Sequence, residues 1–248
     1  MTGIIIQART GSTRLPQKMT LPFFKSMGIL EILLKRLTNN IDCKVIVATT
    51  SNERDNIIEE ITNNNGCSCY RGAENDVLSR FIDAAEKYNI KKIIRICADN
   101  PFLDMESLKT LIKYSDNKDE DYISFCTSNG TPTIKTHYGF WAEYVTLDAL
   151  KKVNSLTDEK LYHEHVTNFI YTNKDLFSID FIQIPKWIED KPIRLTLDTL
   201  EDFEMQQSIF KCVVNNNLNF NNENVINFID NNIEYYAKME AIISQNTK

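Results

Sequence analysis

The chain has 248 residues, 42% of them hydrophobic and 25% charged, with a formal charge of −6. This is the composition of a globular protein with a sizeable core, and its acidic balance excludes a surface built to coat nucleic acid, which needs a basic stripe. No apolar run nears the roughly 20 residues of a membrane span, and the first residues lack a secretory signal pattern, so a cytoplasmic protein is expected.

"GIIIQ" reads as a buried strand, followed by a loop holding Arg9, Arg14 and Lys18 among Gly11, Ser12 and Thr13. "LEILLKRLTNN" has apolar residues at helical spacing, and "KVIVATT" is a second buried strand. A helix is predicted from near Ser51 to Gly66, then a short strand "CSCY", then a helix over "NDVLSRFIDAAEKYN". "KKIIRICA" is a further main strand, and "MESLKTLIKYS" a helix with Asp104 as N-cap. "DYISFCT" follows as a strand.

From about Gly130 the alternation lapses into an aromatic-rich stretch with Tyr138, Phe140, Trp141 and Tyr144, for which core packing is the default and an acceptor pocket or dimer surface the alternative. A helix is predicted after Thr157, and a half-exposed strand over "FSIDFIQIP". Residues 130–190 are therefore read as an insertion or lobe over the sheet edge within a single domain spanning 1–248. A strand ending at Asp198 comes next, then a helix with Thr199 as N-cap and Asp202 in a capping-box position. The Asn-rich "VVNNNLNFNNEN" precedes a last helical stretch. Six cysteines are expected to be reduced thiols, and Cys67-Ser-Cys69 has no second Cys/His pair at zinc spacing.

Strand–helix alternation implies a mostly parallel sheet with helices on both faces, and ligands bind at the edge where such strands end. The first loop lies at that edge. Glycine lets a backbone approach phosphate oxygens, Ser12 and Thr13 can donate hydrogen bonds, and three cations balance charge; the residues alone are equally a surface turn with solvated cations. Asp99 follows the strand "IIRICA" and Asp198 follows "IRLTL". A pair of carboxylates at one edge can hold magnesium, which prefers one or two carboxylates plus phosphate oxygens. His163 and His165, at i and i+2 on a helix, point apart and do not share a metal. Asp119-Glu120-Asp121 imitates the D-x-D of metal-dependent glycosyltransferases, although a solvated turn is the simpler reading.

The motifs "IIIQARTGSTRLPQKMTLP", "YRGAENDVLSRF", "IIRICADNPFLD", "YHEHVTNFIY" and "IRLTLDTLEDFE", in that order, resemble the cytidylyltransferase family that includes the spore-coat polysaccharide biosynthesis proteins. The chain is more distantly similar to CMP-sialic acid synthetases and 3-deoxy-manno-octulosonate cytidylyltransferases. The resemblance implies a Rossmann-like nucleotidyltransferase fold of the nucleotide-diphospho-sugar transferase type. It also implies transfer of CMP from CTP to a sugar acid or a sugar or polyol phosphate, with Mg²⁺ as cofactor and release of pyrophosphate. It assigns nucleotide binding to Gln7, Ala8, Arg9, Gly11, Ser12, Arg14 and Lys18, and to Arg71, Gly72, Asp76 and Ser79. Catalysis falls to Lys18, Arg14 and Asp99 and the metal to Asp99 and Asp198; His163 and His165 are read as near the acceptor or at a subunit contact, and Tyr138, from the aromatic stretch, as an acceptor contact. The implied partners are the nucleoside triphosphate, a small sugar-type acceptor and a second copy of the chain, with neither nucleic acid nor membrane. Two other classes compete: a glycosyltransferase with a metal at Asp119/Asp121, and a non-catalytic nucleotide-binding protein.

Overall fold

The computed structural model describes residues 1–245. Its elements run β1 (Thr2–Gln7), α1 (Ile29–Asn40), β2 (Lys44–Thr50), α2 (Asn56–Asn64), β3 (Ser68–Gly72), α3 (Val77–Lys87), β4 (Lys92–Cys97) and α4 (Met105–Asp116). They continue with β5 (Tyr122–Cys126), β6 (Glu143–Thr146), α5 (Leu147–Leu156), α6 (Lys160–Glu164), α7 (Asn168–Thr172), β7 (Ile179–Gln183) and α8 (Lys186–Glu189). Three helices close the described chain: α9 (Leu200–Asn215), α10 (Asn222–Asp230) and α11 (Glu234–Gln245).

The strands form a sheet in the order β3-β2-β1-β4-β6-β5-β7 among the described residues. β1 pairs in parallel with β2 and β4, so Ile4, Ile5 and Ile6 are buried on both faces and form a continuous apolar run. Side chains of successive residues point to opposite faces. Ile4 and Ile6 join α1, α4, α9 and α10 in one core, while Ile5 joins α3 and α5 in the other. β6 runs antiparallel to both β4 and β5, which leaves β5 pointing the same way as β4. The order turns at β1, with β2 and β3 on one side and β4 on the other. The loops after β1 and β4 therefore diverge at the switch point, where open sheets of this kind bind ligands.

Several predicted elements differ. The helix expected from Ser51 begins with a 3₁₀ turn at Glu53–Asp55 before α2 starts. The helix expected after Thr157 is broken into α6 and α7 at His165–Thr167. β6 and α5 were not predicted, and β6 and β7 place part of 130–190 within the central sheet. The stretch before Asp198 is extended but carries no sheet ladder. Instead, Leu195 and Thr196 N–H donate to the His137 carbonyl, and Leu197 N–H donates to that of Asp99. Gly139 makes this approach possible. A Cβ there would lie 2.4 Å from the Leu195 carbonyl oxygen, and its φ of +71° suits glycine. The Asn-rich stretch supplies turn chemistry: Asn217 takes a φ of +54°, and the Asn221 side chain caps α10.

Candidate active site

The loop after β1 is folded onto itself and anchored from below. Thr10, which is buried, donates its N–H and its hydroxyl to Asp55 Oδ1 at 2.7 and 2.6 Å. Thr50 donates to the other oxygen of Asp55. Burial alone would raise the Asp55 carboxyl, but the hydrogen bonds from Thr10 and Thr50 prevail and hold it below the usual carboxylate range. The Thr10 carbonyl then accepts from Ser12 N–H and Gln17 N–H, each at 2.9 Å. Gln17 closes the turn in the left-handed region, at a φ of +58°. Above Gly11 lies the Arg54 guanidinium, whose NH2 would sit 2.5 Å from an added Cβ, and Arg54 pairs with Glu74. Thr10, Asp55 and Arg54 were not singled out in the sequence. A signal for Asp55 existed: it is an acid just beyond β2, at the same sheet edge.

Lys18 ends this loop and meets both predicted carboxylates. Its Nζ donates to Asp99 Oδ2 at 2.8 Å and to the Leu197 carbonyl at 2.6 Å, and it lies 3.6 Å from Asp198 Oδ1. Burial works against the ammonium, yet the Asp99 and Asp198 carboxylates outweigh it and hold its pKa above the ordinary lysine value. Arg14 NH2 is 2.8 Å from Asp198 Oδ1. Asp198 is set by polar contacts behind it. Arg194, fully buried, donates to both oxygens of Asp202 at 2.7 and 2.8 Å, and its NH2 is 3.5 Å from Asp198 Oδ2. The Asp202 carboxylate also accepts the N–H groups of Asp198 and Thr199, completing the expected capping box.

Beside the pair opens a cavity of about 470 Å³ whose lining includes Asp99, Asp198, Gln7, Arg95, Trp141 and His165. Its floor is a buried polar network that the sequence did not disclose. Arg95 pairs with Glu143 and donates to Gln7 Oε1 at 3.2 Å, while Tyr122 and Thr167 hydroxyls also donate to Glu143. Three buried polar atoms of lining residues find no hydrogen-bond partner among the described residues: Arg95 Nε, Asn100 Oδ1 and Thr196 Oγ1. Leaving buried polar groups unsatisfied is costly.

The other predicted site residues are scattered. Ala8 is buried and tied to β2, with its N–H on the Ala48 carbonyl, and Arg9 lies 3.7 Å from Glu164 of α6. Ser12 Oγ accepts from Leu15 N–H. The Arg71 guanidinium is committed to its own chain, donating to the Thr50 and Asn52 carbonyls, Asn56 Oδ1 and Glu59 Oε2. Asp76 caps α3 through Ser79 N–H, and Gly72 packs where a Cβ would crowd Tyr70 and Arg80. The two histidines part, as expected: His165 lines the cavity, while His163 Nδ1 lies 3.0 Å from Asp76 Oδ2. Burial opposes a charged His163, but its contacts with the Thr157 carbonyl and Asp76 raise its pKa above the usual 6.5. Tyr138, expected as an acceptor contact, is absent from the residues that line the cavity. Its ring is buried against Trp141 and its hydroxyl donates to the Glu189 carbonyl, so Trp141 lines the cavity instead. Asp119 and Asp121 precede β5, at the sheet edge opposite Asp99, and Asp121 is bonded to Ser178. That position removes the structural ground for a metal site at D-x-D serving this cavity.

The donor set around Lys18 suits a hard divalent cation. It consists of oxygen ligands only, and two carboxylates already share one cation. Magnesium binds through one or two carboxylates and leaves its remaining positions to substrate phosphates and water. No group of three or more His, Cys, Asp or Glu side chains is placed to hold a metal among the described residues. A site here would thus depend on the substrate's own oxygens.

Comparison with known proteins shows the family. The cytidylyltransferase family model matches residues 3–245. The spore coat polysaccharide biosynthesis protein SpsF of Bacillus subtilis is 33% identical over 215 residues, covering 84% of this chain and 85% of that protein. A cytidylyltransferase structure from Leptospira borgpetersenii superposes with a TM-score of 0.82 at 32% identity, covering 95% of this chain and 96% of that one. CMP:2-keto-3-deoxy-manno-octonic acid synthetase, solved with CTP, shares the fold with a TM-score of 0.62 at 14% identity, over 85% and 98% of the two chains. The chain belongs to the cytidylyltransferase family and is a nucleotidyltransferase.

Proposed function

We propose that the protein uses CTP and Mg²⁺ to transfer CMP to a hydroxyl of a sugar acid or of a sugar or polyol phosphate, releasing pyrophosphate, in the biosynthesis of a surface polysaccharide. The observation that carries this reading is Lys18, held between Asp99 and Asp198 at the foot of a glycine loop and beside the cavity. Arg9, Arg14 and Lys18 would meet the triphosphate and stabilise the departing pyrophosphate, since phosphoryl transfer rests on positioning and charge stabilisation. Asp99 and Asp198 would hold magnesium, which when bound neutralises phosphate charge. Gln7, Asn100 and Trp141, which line the cavity, would orient the acceptor and place its hydroxyl in line with the α-phosphorus. His165, which lines the same cavity, is an acceptor contact on the same reading. The relative from Bacillus subtilis supports the polysaccharide setting, and the CTP-bound neighbour supports the nucleotide.

A homodimer built through part of 130–190 completes the proposal. No helix among the described residues is long and apolar enough to cross a membrane. The test is a pyrophosphate-release assay with each nucleoside triphosphate, Mg²⁺ and a panel of sugar acids and sugar phosphates. CTP should be preferred, and Lys18→Ala should cut turnover about 100-fold or more. Pyrophosphate release by Lys18→Ala at the normal rate would end this assignment.

A further inference from the structure

Lys18 faces two incompatible demands. Its ammonium donates to Asp99 Oδ2 at 2.8 Å and to the Leu197 carbonyl at 2.6 Å, and it lies 3.6 Å from Asp198 Oδ1. The Lys18 side chain is 11% exposed, and those of Asp99 and Asp198 are 28% and 14% exposed, so the charges are only partly screened by water. A divalent cation on the same two carboxylates binds oxygen at about 2.0–2.1 Å. It would then lie within a few ångströms of the ammonium, where like charges repel strongly in a part-buried site.

We infer that Lys18 is an exchangeable internal counter-ion, competing with a divalent cation for Asp99 and Asp198 and leaving them only when a polyphosphate offers it another anion. The inference rests on the reading that these two carboxylates are the metal ligands. Its consequence is an order of events. Without nucleotide, the ammonium, together with Arg14 at 2.8 Å from Asp198 Oδ1, offsets the charge of the pair and keeps its affinity for divalent cations low. The polyphosphate gives Lys18 a new partner, so the pair becomes free to take the metal. Metal and nucleotide therefore tighten each other's binding by the same factor, as linkage requires. Leaving also releases the Leu197 carbonyl, and Leu197 N–H is bonded to the Asp99 carbonyl, so the exchange loosens the segment that carries Asp198.

The test uses Mn²⁺ alone, titrated into the full-length protein without nucleotide and followed by the electron paramagnetic resonance of free Mn²⁺. Lys18→Met should bind one Mn²⁺ at least tenfold more tightly than the wild type, and adding Asp99→Asn should abolish that gain. Should the methionine variant not fold by circular dichroism, Lys18→Gln keeps a donor for the Leu197 carbonyl and carries the same expectation. If the Lys18 variant binds Mn²⁺ no more tightly while Asp99→Asn still weakens binding, the counter-ion inference fails and the metal assignment stands. If Asp99→Asn changes Mn²⁺ binding in neither background, the carboxylate pair is not the metal site and both readings fail.

Discussion

The two carboxylates that meet at Lys18 are positioned by different means. Asp99 follows β4, whose ladder with β1 runs from Thr2↔Lys92 to Gln7↔Cys97, and Ala98 N–H extends it to the Gln7 carbonyl. Asp198 follows a segment outside the sheet, held by one buried arginine, one buried carboxylate and three backbone bonds to His137 and Asp99. The first arrangement spreads its support over a whole strand. The second concentrates it in Arg194 and Asp202, so single substitutions should act very differently on the two sides.

The largest effect is expected from Arg194→Met. It leaves Asp202 buried and unpaired, a change that costs about 3–5 kcal/mol, and urea denaturation should show that loss together with a fall in turnover. Asp99→Asn should do the reverse. Turnover drops about 100- to 1000-fold while the melting temperature stays near that of the wild type. If Asp99→Asn destabilised the protein as much as Arg194→Met, the contrast between the two supports would be lost. Thr199→Ala removes one hydrogen bond of the capping box and should cost about 1 kcal/mol, read from the denaturation midpoint, with turnover reduced less than in Arg194→Met.

The smallest effect concerns pH. His163 binds Asp76, and its pKa is raised in the folded protein. A raised pKa means that the charged contact contributes fully below the unfolded value of about 6.5 and is lost as pH rises through the folded value. The wild type should therefore lose a little melting temperature from pH 6 toward about pH 8, and His163→Ala should flatten that slope. An unchanged slope in His163→Ala would show that the α3–α6 contact carries no charge.

What could be read from the residues follows the same division. β1, β2 and β4 are continuous apolar runs between turn signals, and buried parallel strands require that pattern. The cation loop and Asp99 were legible because they sit just beyond such runs, whereas Asp198 follows a segment outside the sheet. β6 escaped notice: it is four residues long, and its Glu143 is a charge buried only because Arg95, Tyr122 and Thr167 meet it. "IRLTL" alternates like a strand, yet the N–H groups of Leu195, Thr196 and Leu197 bond to loop carbonyls, and local pattern does not distinguish the two partners. The α6–α7 break was missed for a related reason. Thr167 Oγ1 reaches Glu143, a partner 24 positions away. Arg71 illustrates the limit for function, since its motif does not disclose that its guanidinium bonds to Asn56 and Glu59 of α2.

The bond from Leu197 N–H to the Asp99 carbonyl joins distant parts of the chain, and it bears on the order of assembly. A fragment that ends before Asp198 already contains the cation loop, β4 and Asp99, yet it lacks the second carboxylate. Closing so long a loop carries an entropic penalty that grows only slowly with length, but contacts this far apart tend to form late in folding. Reactivity toward a nucleotide would then belong to the finished molecule and not to its amino-terminal half.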